Sequence, residues 1–222
     1  MFHLAKIGKT RPPRGGGTPF DFRFSAFGFR YLGFMRSSDN RAFKEWAVVC
    51  RALALGRQTL ILRKGGIAEG PRGFEMTDQQ FFLFPTYLHQ SASSVIPEWQ
   101  GALEECTTDP TPGRVVISHY AVVASWLKIT SLDTLRALEG LHIWSDEIVS
   151  ERFHRWSEES VVAMMVRVYA LRWPVVIDVL KEYAGCKSWI TLADQVSLAE
   201  LRPALDDAVF QQRLAEMKAV VS

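Results

Sequence analysis

Apolar residues at Phe43, Trp46, Ala47, Cys50, Leu53 and Ala54 recur at three- and four-residue intervals, the spacing of an amphipathic helix. Gly56 follows where a helix C-terminal glycine belongs. "QTLILR" (58–63) reads as a strand with Gly65-Gly66 as its turn. The polar stretch 68–80 is broken by glycine and proline and predicts a loop. "FFLF" (81–84) predicts a short buried strand that Pro85 stops, and "PEWQGALEEC" (97–106) a helix with proline in its first turn. "RVVISHYAVVASWLKI" (114–129) is a long strand or two strands with a bend, by its β-branched and aromatic residues. Ser caps with early acids predict helices over 131–140 and 145–153, with "LHIW" (141–144) strand-like between them. "VVAMMVRVYAL" (161–171) is a central strand, Pro174 to Gly185 a helix, and "SWITL" (188–192) a last strand. "SLAE" (197–200) has the form of a capping box, Pro203 a break, and 206–220 the final helix. Five to seven strands mixed with helices fit an α+β fold rather than a doubly wound parallel sheet.

Composition divides the chain. Residues 1–36 carry seven Lys or Arg against one acid, Asp21, so this arm is +6 while the whole chain of 222 residues is only +2. It also holds the breaker cluster "RPPRGGGTP" and the Phe-alternating "FDFRFSAFGFRYLGF". Three regions are expected: a basic tail at 1–38, disordered or, over 1–34, translated upstream sequence; an α+β globular domain at 39–195; and a helical extension at 196–222. A basic arm can touch nucleic acid through phosphates. Three widely spaced cysteines form no C-x-x-C pair, which argues against a closed zinc site and fits a reducing cytoplasm. No run of 18 apolar residues predicts a membrane span.

Common catalytic signatures are missing: there is no phosphate-cradling Gly-x-x-x-x-Gly-Lys, no Gly-x-Ser-x-Gly and no His-Glu-x-x-His. No cofactor or metal is expected. Arg63-Lys64-Gly65-Gly66 is the anion-binding candidate, since glycines let backbone N–H groups approach a ligand and cations complement phosphate; a hairpin with a solvated rim is the alternative. Tyr87, His89 and Gln90 follow a strand and a proline, where tyrosine can stack and glutamine can pair with a base edge. On a strand, His142 and Trp144 share one face and would floor an aromatic pocket, or sit in the core. Arg167 lies mid-strand in an apolar run and needs a partner: Glu147, Glu151 or a bound anion.

The stretches "KEWAVVCRAL", "QTLILRKGGI", "FFLFPTYLHQ", "HIWS", "VRVYAL" and "GCKSWITL" together resemble the bacterial family labelled domain of unknown function 1802 (DUF1802) over about 42–192. That resemblance carries over no catalytic residue. It implies a link to restriction–modification or defence and a restriction-type nuclease partner. The opening Gly56-Arg57-Gln58-Thr59 through Arg63 is similar to the ASCH branch of the PUA-like superfamily. This implies a small, mixed, partly open β-barrel flanked by helices, with a cleft that takes RNA or modified bases. Ile61 stands where that branch often has an acid, against amide-hydrolase chemistry.

The resulting expectation is a cytoplasmic nucleic-acid-binding module that reads a modified or flipped base. Two alternatives stay open. One is a small hydrolase or transferase on a nucleoside-like substrate, with Lys64 and His89 in acid–base roles. The other is a non-catalytic partner of a nuclease or methylase.

Overall fold

The computed structural model describes residues 23–24, 36–64, 69–70, 73–74, 78–88, 90–185 and 187–222. The tail beyond those residues, Gly65, Gly66, His89 and Cys186 lie outside the described residues. Ten strands are described: β1 (Arg23–Phe24), β2 (Ser38–Trp46), β3 (Leu60–Arg63), β4 (Glu69–Gly70), β5 (Gly73–Phe74), β6 (Gln80–Thr86), β7 (Arg114–Ile129), β8 (Val161–Asp178), β9 (Trp189–Ser197) and β10 (Arg202–Pro203). The helices are α1 (Ala47–Ala54), α2 (Pro97–Glu105), α3 (Leu132–Arg136), α4 (Asp146–His154) and α5 (Asp207–Val221).

Eight of the strands form one mixed sheet in the order β10-β8-β7-β6-β2-β9, with β3 on β8 and β1 on β7. The long antiparallel pair β7–β8 is its spine. Register shifts between Ile117 and His119 and between Val123 and Ser125 are the bends that coil it. β2 and β6 run parallel, so the ends of both strands point to the same rim of the molecule. The sheet curls without closing. Where β8 and β9 fail to pair, a cavity of about 330 Å³ remains, lined in part by Ile177, Tyr183, Leu192 and Val196. This is the α+β, partly open barrel expected from the sequence.

The curl makes two cores. Ala42, Phe82, Phe84, Tyr120, Ile190 and Leu192 fill one side of the sheet. Phe43, Phe81, Leu83, Leu60, Val48 and Trp144 fill the other, beneath the helices. Phe210, Met217 and Val221 of α5 belong to the second core.

Several sequence expectations change. The helix expected from Phe43 begins only at Ala47, because Phe43 and Trp46 end β2. Pro85 does not stop β6, which pairs with β2 through Thr86. β7 pairs with β6 only at 80–82, so the N–H that Pro85 lacks is not needed on that side. Residues 141–144 make no strand, only a bridge from Trp144 to Val95. Pro174 opens no helix: it lies in the bulge between Ala170 and Val175 of β8, and only Lys181–Tyr183 turns helically. "SLAE" ends β9 in a turn, with Ser197 Oγ accepting from Ala199 N at 3.3 Å and Glu200 at φ 57°.

Candidate functional site

The parallel ends of β2 and β6, the end of β3, the start of α1, the 141–145 segment and α4 converge on one rim. The residue that organises it is Glu45. Its side chain is 2% exposed, so its charge must be met by donors. Oε1 accepts from Trp46 N at 2.8 Å, and Oε2 faces Arg63 Nη2 at 3.1 Å. The backbone carbonyl of Glu45 accepts from Thr86 Oγ1 at 3.1 Å and from Cys50 Sγ at 3.8 Å. Those two bonds fix the strand-to-helix turn that aims the carboxylate.

Arg63 pairs with this carboxylate, and Arg152 lies within electrostatic reach of it and of Glu151. Arg63 also donates to Lys44 O at 2.5 Å and lies 4.4 Å over the Phe43 ring. Arg152, from α4, donates to Leu62 O at 3.2 Å and lies 3.7 Å over Trp144, whose ring meets Trp46 edge-on at 5.0 Å. The Arg152 side chain keeps partial solvent access, but its charged end sits deep among protein atoms. Burial pushes its pKa down to about 10, Glu45 opposes the fall, and the Arg63 cation adds to it. Cations on aromatic faces are held by the ring quadrupole, which orients them without using their N–H groups.

Buried donors are left over. Arg63 Nε, Trp144 Nε1 and His142 Nε2 have no acceptor among the described residues. His142 Nδ1 accepts from Trp144 N at 3.2 Å, which puts the ring proton on Nε2. Burial, then the Arg152 cation, pushes the His142 pKa down to about 4, so the ring is neutral near pH 7. Burial, then Glu45, raises the Cys50 thiol well above its ordinary range, which leaves it protonated and a poor nucleophile. The rim thus gathers buried N–H groups and two guanidinium groups. It suits an acceptor-rich, anionic group.

The other candidate residues fall elsewhere or take other roles. Lys64, one residue past the end of β3, binds a different segment from Arg63. Its ammonium donates to the carbonyls of Phe153 and Ser160, each at 2.9 Å, and of Glu158. Trp144 is 2% exposed and His142 5%, so they back the site rather than floor an open pocket. Tyr87 is half-buried at the end of β6, and burial, then Asp109, raises its phenol. Gln90 donates to Cys106 O at 2.7 Å while its Oε1 is buried without a donor. Arg167 pairs with Asp207 at the head of α5, not with Glu147 or Glu151, and lies 5.2 Å over Phe210. It stands five residues along β8 from the partner of Arg63, roughly 16 Å away at strand rise. Glu45 and Arg152, which no motif marks, complete the site. Among the described residues no group of three His, Cys, Asp or Glu side chains is placed to hold a metal, and no helix is long and apolar enough to cross a membrane.

Among solved structures, the chain is similar to an ASCH protein from Zymomonas mobilis (TM-score 0.37, 11% identity, 80% of this chain and 94% of that one). A point mutant of the same protein gives a TM-score of 0.38 at 12% identity, over 80% and 96% of the two chains. No curated protein matches the sequence. A family model described as domain of unknown function (DUF1802) matches residues 42–216. That span runs from within β2 into α5 and holds the whole Glu45 rim, and the chain belongs to the DUF1802 family.

Proposed function

We propose that this protein is a nucleic-acid-binding module whose phosphate or base-acceptor site is the Glu45–Arg63–Arg152 rim. One observation carries the reading: Arg63, paired with a buried carboxylate, stands within electrostatic reach of a second guanidinium, Arg152, while neighbouring buried N–H groups lack acceptors among the described residues. A phosphate oxygen or a base carbonyl would meet the part-exposed Arg63 guanidinium, with the buried indole and imidazole behind it. Arginine held flat on aromatic rings is preorganised for such a group, which reduces the ordering cost of binding. Lys64 supports the loop behind the site; its three donor positions are taken by three carbonyls, which removes it from acid–base duty. The site calls for a polyanion, and nothing in its geometry requires a nuclease or methylase partner.

The test is fluorescence anisotropy with labelled RNA, single-stranded DNA and duplex DNA at two salt concentrations. The wild type binds, and affinity falls as salt rises because bound counterions are released. Arg63→Met and Arg152→Met each weaken binding at least tenfold, and Arg63→Lys falls between, since an ammonium cannot replace a bidentate fork. Wild-type protein that binds none of these probes at low salt, or binds with no salt dependence, refutes the proposal.

A further inference from the structure

The loop between α4 and β8 presents a tryptophan in a backbone conformation that bulky residues avoid. Trp156 has φ 69° and is 66% exposed. Among the described residues the other non-glycine with positive φ is Glu200, whose carboxylate is engaged by Arg172 at 3.3 Å. No ring or cation among the described residues contacts the indole of Trp156. A left-handed aromatic residue is strained, and such strain persists only where the surroundings impose it.

Lys64 imposes it. Its ammonium binds Phe153 O on one side of Trp156 and Glu158 O and Ser160 O on the other, drawing both arms of the loop inward. His154 and Glu159 pair across the loop at 2.9 Å, and Lys128 holds Glu158 from β7. Trp156 is left at the apex, facing water. The same loop leaves α4 just after Arg152, and exposed Arg155 lies within electrostatic reach of the Arg152 cation. The indole therefore stands on the chain segment that leads out of the cationic rim.

We infer that Trp156 is a base-stacking residue, and that the ligand is a single-stranded segment with an unpaired base beside the phosphate held by Arg63 and Arg152. This rests on the nucleic-acid reading above. Inside a duplex both faces of a base are covered by its neighbours; an exposed indole can stack only on a base in a single strand, a loop or an end. The arrangement divides the work: guanidinium groups take the backbone, and the clamped indole takes a base face.

Three labelled probes of equal length test this by anisotropy: a single strand, the same strand with abasic sites, and a blunt duplex. Trp156→Gly suits the left-handed backbone and removes the ring, so its Tm equals or exceeds that of the wild type. It binds the single strand roughly five- to one-hundred-fold more weakly, yet binds the abasic strand as the wild type does. Trp156→Phe keeps most of the affinity. If Trp156→Gly binds the single strand like the wild type while Arg63→Met still weakens it, stacking is refuted and the nucleic-acid reading stands. Equal wild-type affinity for the single strand and the blunt duplex also refutes it. Failure of the wild type to bind any probe refutes both.

Discussion

Replacing Glu45 by Gln removes the buried negative charge that pairs with Arg63 and lies within electrostatic reach of Arg152, while keeping the size and the acceptor for Trp46 N. The charge lies behind a side chain only 2% exposed, so water cannot substitute for it. Breaking a buried ion pair by removing one partner costs about 3–5 kcal/mol. Two features reduce that here. Arg63 is 21% exposed and keeps its bond to Lys44 O, and both guanidinium groups remain on aromatic faces. A loss of about 2–4 kcal/mol is therefore expected. Urea denaturation reads it as a lower midpoint at unchanged slope. The same variant carries a second signature. With the negative charge gone, the part-exposed Arg63 attracts an added anion more strongly, so inorganic phosphate should restore part of the lost stability and stabilise the wild type less. A loss below about 1 kcal/mol, with phosphate acting equally on both proteins, would show that Glu45 does not hold the two cations together and would remove the basis for an anion site.

Protonation of His142 should make the fold acid-sensitive. Its folded pKa of about 4 lies below the ordinary 6.5, so the unfolded chain takes up the proton first, and stability falls as pH drops from 6.5 toward 4. By pH 5 the loss is about 2 kcal/mol. His142→Asn, which keeps an acceptor for Trp144 N, should show a flatter pH profile in urea melts, and parallel profiles would falsify the assignment. At Gly56, φ is 63° and an added Cβ would meet Leu205 Cδ1 at 2.9 Å and Ala204 O at 3.0 Å. Gly56→Ala should cost about 1–3 kcal/mol, read as a drop in Tm, whereas Gly113→Ala, with φ of 81° but open space around it, should cost less.

Much of the fold was legible because long strands and capped helices advertise themselves. β7, α2, α4 and α5 stand where periodicity and caps put them. The errors share a physical cause. β2 is covered on both faces, with Ala42 in one core and Phe43 in the other, so the alternation that marks a half-buried strand is lost. Phe43 and Trp46 then fall by chance into register with the apolar face of α1. Pro174 mimics a helix start because a bulge supplies the same tolerance for a missing N–H. Local patterns cannot distinguish these cases, since the partner strand that decides each one is far away in sequence.

The site was harder to read for a related reason. Adjacent cations looked like one patch, but β3 ends at Arg63, and Arg63 and Lys64 serve different structures: one joins Glu45, the other clamps the loop of Trp156. Arg167, which needed an acid, found it at Asp207, forty residues downstream on α5. Sequence could show that each cation must be paired, because an unpaired buried charge is too costly. It could not show which pairings would be complete. Arg167 pairs with Asp207 and Arg63 with Glu45, and each keeps a buried Nε without an acceptor among the described residues. What separates them is place: Asp207 ties Arg167 to the head of α5, whereas Arg63 stands where β2, β3 and α4 meet at one rim, and that difference becomes visible only in three dimensions.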